Sequence, residues 1–391
     1  MHLCYGTNVH SGETWPEVLA SVRDHVVAVK KLVSPDQPFG CGLRLSAAAC
    51  RALNAPEELT SFKRFLDSEG LYVFTLNGFP FGAFHGTRVK ENVYRPDWLE
   101  EERLDYSNQL ALVLAALLPD DLEGSVSTVP AAFAPRVSSE EHRWAIAEHL
   151  LRHVATLVRI REQTGKTICL ALEPEPCCFL ETVAQAVEFV ERYLSSADGL
   201  ALLGKWAGLS RGEAAAALRR HLGVCLDACH MAVEFEQPSE VLAVLASAGI
   251  RVAKVQLSAG LQLDLESRHP AELSSFADDV YLHQVVEKGA DGIRRYLDLP
   301  DALRARTSES RSKRQWRIHF HVPIHRARLG AIETTQSYLR EFLALLRETR
   351  ACGHLEVETY TWDVIPRRFR SEELHQSLAR EMRWAIQELA Q

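Results

Sequence analysis

Three short apolar runs in this chain each finish in groups that hold a cation or move a proton. Ile168-Cys-Leu-Ala-Leu-Glu-Pro-Glu-Pro176 ends in Glu173 and Glu175, Gly223-Val-Cys-Leu-Asp-Ala-Cys-His230 in Asp227 and His230, and Leu355-Glu-Val-Glu-Thr-Tyr-Thr-Trp362 in Glu356 and Glu358. Aliphatic residues pull such a run into a core, where a carboxylate has to be solvated, paired or ligated. Glu173, Asp227 and Glu358 facing one point would raise one another's pKa without a cation and cage one if it is present. With His230 beside them, the set suits Mn²⁺, Mg²⁺, Co²⁺ or Zn²⁺. The bland alternative, a solvated loop acid or a helix N-cap, fits any one of these residues better than it fits all of them together. Glu175 and Glu356 share strand parity with Glu173 and Glu358. Pro174 and Pro176 bracket Glu175 and set it already in a loop, so Glu173 and Glu358 are the preferred ligands. Tyr360 and Trp362 continue the parity of Glu358 and would wall an apolar side.

Residues far apart in sequence meet this way when strand C-termini converge, as they do at one face of a (β/α)₈ barrel. Eight strand candidates are legible: Leu3–Val9, Gly40–Leu45, Tyr72–Asn77, Gly124–Val129, Thr167–Glu173, Gly223–Asp227, Val252–Ser258 and His354–Thr359. Between them, helical spacing recurs, as in Leu180, Val183, Val187, Val190 and Leu194, and in Tyr338, Phe342, Leu345 and Leu346. The helix through Leu150, Val154, Leu157 and Ile160 should stop at Gly165. This alternation predicts parallel strands joined by helices, a TIM barrel spanning 1–391 as one domain. Residues 195–222 add a short helical unit. Residues 260–316, ending in the charged run Arg304–Arg317, are expected to form a helical insertion between strands 7 and 8, a lid or an interface.

At 391 residues, 47% hydrophobic and 25% charged, the chain can bury a large core. Its net charge of −8 disfavours a nucleic-acid partner, which wants a basic surface. No apolar run reaches the length of a membrane span, and the N-terminal residues lack the regions of a signal peptide. The nine cysteines are irregularly spaced, which argues against a disulfide framework and for the cytoplasm. A homo-oligomer is left open.

The order strand-Glu, Asp-x-x-His, polar strand end, strand-Glu resembles the xylose isomerase-like barrels, which include sugar isomerases and epimerases and share their fold with AP endonucleases. The resemblance implies a metal held by Glu173, Asp227 and Glu358, with His230 touching substrate. Asn77-Gly-Phe-Pro-Phe-Gly-Ala-Phe-His85 is similar to a loop those epimerases lay over the substrate. His319-Phe-His-Val-Pro-Ile-His325 narrows the resemblance to the EboE branch of metabolite-traffic proteins, whose expected setting is precursor processing or export. One position departs: the seventh strand offers Gln256 where the family has a histidine. Gln256 then becomes a weak, neutral ligand, or His321 or His319, sharing parity on the strand-like Ile318–Ile324, supplies the imidazole.

The resemblance implies an isomerase or epimerase in which Glu173 and Glu358 exchange protons with a metal-bound hydroxy-ketone, a sugar-like or polyol-like metabolite. Asn8, His10, Arg44, Asn77 and His85, at the ends of the early strands, are candidate substrate contacts, with His319 a further one. Arg44 could read a phosphate or carboxylate. Two other readings remain: a barrel that binds and hands over a metabolite without turnover, and a metal-dependent endonuclease or phosphoesterase. Gly208-Leu-Ser-Arg-Gly212 fits a nucleophile-elbow pattern, yet Ser210 and Glu213 read better as a helix capping box.

Overall fold

The computed structural model describes residues 1–83, 85–86, 88–265, 270–305, 314–370 and 372–391, with backbone alone at 270 and 271. Eight parallel strands form a ring: β1 (His2–Tyr5), β2 (Phe39–Arg44), β3 (Leu71–Asn77), β4 (Gly124–Thr128), β5 (Ile168–Leu172), β6 (Leu222–Asp227), β7 (Arg251–Leu257) and β8 (His354–Val357). Each pairs with its neighbours in numerical order from β2 to β8, and β8 pairs with β1. The eight strands predicted from sequence are the eight observed, with no end shifted by more than four residues. The largest shift is at β1, which gives way at Gly6 to the tight turn Thr7–Val9.

The ring closes between β1 and β2 through one bridge, Gly6 to Gly42. Glycine is what permits the approach. A Cβ on Gly40 would lie 2.6 Å from the Leu3 carbonyl oxygen, and one on Gly42 would lie 2.7 Å from that of Tyr5 and 2.2 Å from Glu356 Oε2. Helices cover the outside. Glu140–Thr164 starts at Ser139, whose side chain accepts from the His142 N–H, and stops at Gly165, which adopts φ 74°. Ser210 and Glu213 cap Arg211–His221 reciprocally, so Ser210 serves as a helix start. Among the described residues, no helix is long and apolar enough to cross a membrane.

The stretch predicted as a helical insertion is instead built mainly on antiparallel sheet. Six strands pair in the order Gly292–Tyr296, Val285–Gly289, Gln315–Ile318, Leu261–Asp264, Ile332–Thr334, Arg328–Leu329, with the short helices Pro270–Leu273 and Leu299–Ala305 beside them. The sheet runs on to Thr334, past the predicted end at 316. Strands of two to five residues expose little period-2 pattern within a polar stretch, which is why they read as something else. The charged run Arg304–Arg317 lies outside the described residues at 306–313. Ile318–Ile324, predicted as strand, is strand only up to Ile318, and 319–324 continues without regular structure. Lys90, in the loop after β3, ties this sheet to the barrel. Its ammonium donates to the carbonyls of Asp278 (2.9 Å) and Tyr281 (2.6 Å) and to Asp298 Oδ2 (2.7 Å).

Inside the barrel, Lys254 on β7 and Glu356 on β8 form a 2.7 Å ion pair in which both side chains are fully buried. They precede Gln256 and Glu358 by two residues, so the pair lies on the same inward face, one layer beneath the strand ends. Removing one partner strands the other's charge. Lys254→Met is therefore expected to lower stability by about 3–5 kcal/mol. Lys254→Met/Glu356→Leu should recover most of that in urea unfolding.

Several buried histidines give the fold an acid liability. Burial holds His153 and His354 down to about 3 and His221 down to about 4. The unfolded chain takes up these protons first, so each site contributes stability that is complete above about pH 6.5 and is lost as pH falls toward the folded value. His153→Gln should make the fall in unfolding free energy between pH 6 and 4 shallower by about 1.4 kcal/mol per pH unit. An unchanged slope in urea melts across that range would exclude His153 as a contributor.

Candidate functional site

Each strand end delivers its polar side chain for a local reason. β6 ends in Asp227, which is also the N-cap of the helix Ala228–Val233: its Oδ1 accepts the His230 N–H (2.9 Å) and the Ser258 hydroxyl (2.7 Å). Capping occupies Oδ1 alone, and Asp227 Oδ2 is buried with no hydrogen-bond partner. Glu173 follows the last residue of β5 and leaves Oε2 in the same condition. Glu358 follows β8, and its Oε1 accepts three amide donors, Asn8 Nδ2 (2.8 Å), Gln256 Nε2 (2.9 Å) and Asn77 Nδ2 (3.1 Å).

Gln256 therefore turns its nitrogen to Glu358, and its carbonyl oxygen accepts the Cys225 thiol at 3.2 Å. This orientation favours a hydrogen-bonding role for Gln256 over the expected carbonyl ligand on β7. Reversing the amide would set its oxygen against a carboxylate oxygen, so Glu358 fixes the orientation. The imidazoles come from elsewhere. His230 stands on the helix after β6, and His319 and His321 reach in from the insertion. His230 Nε2 lies 3.0 Å from His319 Nε2, which lies 3.3 Å from His321 Nε2.

Of the other predicted contacts, Asn8, Asn77 and His319 line the central pocket with Glu173, His230 and Glu358. His10, Arg44 and His85 do not. His10 stacks on His25 (ring centroids 4.3 Å apart) and bonds Tyr5 Oη at 3.0 Å. The Arg44 guanidinium grips the Glu13 carboxylate at 3.0 Å and the backbone carbonyls of Gly12 and Pro80, so it faces no ligand space. His85 donates from Nε2 to the Asn8 carbonyl at 2.7 Å, an anchor for its loop. Sequence reasoning missed Tyr94, at the end of the short 3₁₀ helix Lys90–Tyr94, and Gln284 and Tyr281, in irregular segments. It also ranked Glu175 below Glu173, although Glu175 lines the pocket and accepts the Tyr94 hydroxyl at 2.6 Å. Its parity with Glu173 was the available signal.

Electrostatics follow from burial. Burial raises the Glu173 carboxyl well above its ordinary range, and Glu358 and Asp227 add to the rise. Glu358 is raised well above that range by burial, then by Asp227 and Glu356. For Asp227 burial pushes upward too, but His230, His321 and the two hydrogen bonds to Oδ1 outweigh it and the pKa falls. Burial draws His321 down to about 4 despite Asp227, and His319 well below the usual imidazole range. Orphaned carboxylate oxygens beside clustered imidazole nitrogens fit a divalent cation. Among the described residues, three overlapping groups have ligand atoms within 4.8 Å of one another: His230 with His319 and His321, Glu173 with Asp227 and His230, and Asp227 with Cys229 and His321.

A parallel eight-stranded ring with polar strand ends opening into one pocket is the architecture of the (β/α)₈ TIM barrel. Two solved structures share it: a xylose isomerase domain protein from Planctomyces limnophilus (14% identity, 99% of this chain and 95% of that one, TM-score 0.50) and D-allulose 3-epimerase from Methylomonas sp. (12% identity, 100% and 98%, TM-score 0.50). At these identities the likeness establishes the fold alone. No protein-family model and no curated protein sequence matches the chain.

The role of Gln256 separates two outcomes for Gln256→Glu. Set 2.9 Å from Glu358 Oε1, a second carboxylate repels the first, so both thermal midpoint and zinc affinity should fall. A carbonyl ligand would behave oppositely, its replacement by a charged oxygen tightening zinc in calorimetric titration.

Proposed function

We propose that this chain is a metal-dependent isomerase or epimerase of small, uncharged, sugar-like or polyol-like metabolites. The observation that carries this reading is the placement of Glu173 and Glu358. They issue from β5 and β8, three places apart in the eight-membered ring, and line one pocket from nearly opposite sides, with buried metal-type donors between them. A proton removed on one face of a carbon and returned on the other needs two such groups. The sharing of a fold with D-allulose 3-epimerase supports the same reading.

Glu173, Asp227 and the imidazole nitrogens facing them would hold the ion. A divalent cation bound there polarises the carbonyl of a hydroxy-ketone and acidifies the neighbouring C–H. Glu358 is fixed by its three amide donors, so it meets substrate in one orientation. Glu175, held by Tyr94, offers a further acceptor for a hydroxyl. Phe79, Pro80, Tyr94, Tyr281 and Tyr360 make the walls apolar, a surface suited to the C–H face of a sugar ring or chain. The ammonium of Lys90 at the pocket is committed to three backbone and side-chain oxygens, and the Arg44 guanidinium to Glu13. Neither is available to a phosphate, so neutral substrates are favoured over sugar phosphates.

The similarity of His319–His325 to the EboE branch gives the reading its setting, precursor processing or export. A barrel that binds and releases a metabolite without turnover is the second reading. It draws on Gln256, whose amide leaves β7 without a ligand.

Incubating the zinc- or manganese-loaded protein with unphosphorylated ketoses, aldoses and polyols in D₂O should show deuterium entering beside the carbonyl as an isomer forms, followed by NMR. Glu173→Gln and Glu358→Gln should each lower kcat by about 10²–10⁴. Sugar phosphates should be poor substrates. Saturable binding of a neutral sugar with no exchange or product would sink the enzyme and leave the carrier.

A further inference from the structure

The three imidazoles point to a more specific centre than a carboxylate cage. We infer that His230, His319 and His321 hold the metal through their Nε2 atoms, with Asp227 Oδ2 as the carboxylate ligand, so that the centre selects zinc-class ions over magnesium or calcium and the insertion supplies two of its four protein ligands. This rests on the metal-dependent reading above and revises its ligand set, taking Glu173 out of the shell and leaving it to proton transfer.

The hydrogen-bond network assigns the tautomers. His230 Nδ1 faces the Pro174 carbonyl oxygen at 3.1 Å, His319 Nδ1 faces Gln284 Oε1 at 2.7 Å, and His321 Nδ1 faces the Glu358 backbone oxygen at 3.0 Å. The Gln284 oxygen is identified by its nitrogen, which donates to Tyr94 Oη (2.9 Å) and to the Pro176 carbonyl (3.3 Å). A carbonyl oxygen only accepts, so all three Nδ1 atoms carry the hydrogen and, in neutral rings, all three lone pairs sit on Nε2. An N–H donating to a carbonyl is how metal-binding histidines are oriented.

These lone pairs converge. The Nε2 separations are 3.0 Å from His230 to His319 and 3.3 Å from His319 to His321. Lone pairs at that distance repel, with no imidazole hydrogen available to lie between the rings. Two nitrogens on one tetrahedral zinc, each about 2.0–2.1 Å from it, stand about 3.3–3.4 Å apart, so the observed spacing is close to that of a coordination shell. Asp227 adds a second, independent sign. It is 1% exposed, its Oδ1 is committed, and its Oδ2 has no hydrogen-bond partner and lies 3.9 Å from His321 Nε2. Tyr360 Oη, 3.4 Å from His319 Nε2, stands at the rim of the same space.

Three nitrogens and one oxygen suit zinc, cobalt or nickel, whereas magnesium and calcium want oxygen shells. His319 and His321 follow the insertion strand Gln315–Ile318, while His230 and Asp227 belong to the barrel. The ion would therefore clip the two together and leave Glu173 and Glu358 free for proton transfer.

X-ray absorption on zinc-loaded wild-type protein should show about three imidazoles at about 2.0 Å. Zinc should slow amide exchange at 281–288 and 315–324 more than elsewhere in the chain. His319→Ala/His321→Ala should weaken zinc by more than about 100-fold, beyond the loss of an outer-sphere partner. Circular dichroism checks that variant's fold, and the absorption result needs no variant. Zinc bound with one imidazole or none, retained by the double variant and lost in Glu173→Gln/Glu358→Gln, would overturn this ligand set and leave the metal-dependent reading standing. Wild type that takes up neither zinc, cobalt nor manganese defeats both.

Discussion

Five carboxylates, Glu173, Glu175, Asp227, Glu356 and Glu358, are each at most 4% exposed around the C-terminal end of the barrel interior, with the ammonium of Lys254 among them. An ion moved into such a place forfeits several kcal/mol of hydration even after the protein relaxes, and every further charge of the same sign adds to that. The surrounding structure reads as a set of answers to this one problem. Lys254 meets Glu356 directly, the Tyr94 hydroxyl meets Glu175, three amides converge on one oxygen of Glu358, and Ser258 and a helix N-terminus meet Asp227. Glu173 Oε2 and Asp227 Oδ2 are the oxygens of this group left without a donor at the strand-end layer. Protonation, to which the raised Glu173 carboxyl is already biased, or a cation of the proposed kind would offset them.

The compensation is layered, and the layers divide labour. The ion pair between Lys254 and Glu356 lies beneath the pocket and stabilises the closed ring, with Gly42 making space for the Glu356 carboxylate. One layer up, three amide donors hold the Glu358 carboxyl in one orientation. Above that, the aromatic side chains of Tyr94, Tyr281 and Tyr360 narrow the mouth and lower the local polarity. Lower polarity strengthens every electrostatic interaction at the floor. Pocket chemistry and barrel stability are thus coupled through one column of inward-facing residues on β7 and β8.

The barrel was legible in the sequence because its strands are buried on both faces and bounded by helical repeats, a signal that survives errors of a few residues at the ends. Glu173, Asp227, Glu358 and His230 stood out for the same reason: an apolar run that ends in a charge is conspicuous. Arg44 and His10 carried that signal too, yet Glu13 and His25, local neighbours from the first βα unit, engage them, and strand position says nothing about such capture. The insertion was misread because its strands are short and pair with partners up to about seventy residues away, as Leu261 does with Thr334. Gln256 was the subtlest case. Its identity suggested a ligand in place of a histidine, whereas its role is set by a hydrogen bond to Glu358 that only the folded ring creates.

With Gln256 as a donor to Glu358, the proposed imidazole ligands lie off the ring, on the helix after β6 and on 319–324, a segment anchored by Val322 N–H to the Ala259 carbonyl and by His319 N–H to the Gln284 carbonyl, both at 2.9 Å. His319 and His321 meet through their Nε2 atoms at 3.3 Å, His319 at the pocket wall, while Phe320 between them is buried in the core. The antiparallel sheet behind them gives this irregular stretch a rigid support, and Lys90 ties that support back to the barrel. In this arrangement a loop-borne pair of imidazoles can be held as firmly as one on a strand, and the insertion is part of the site's first construction, with any covering role following from that.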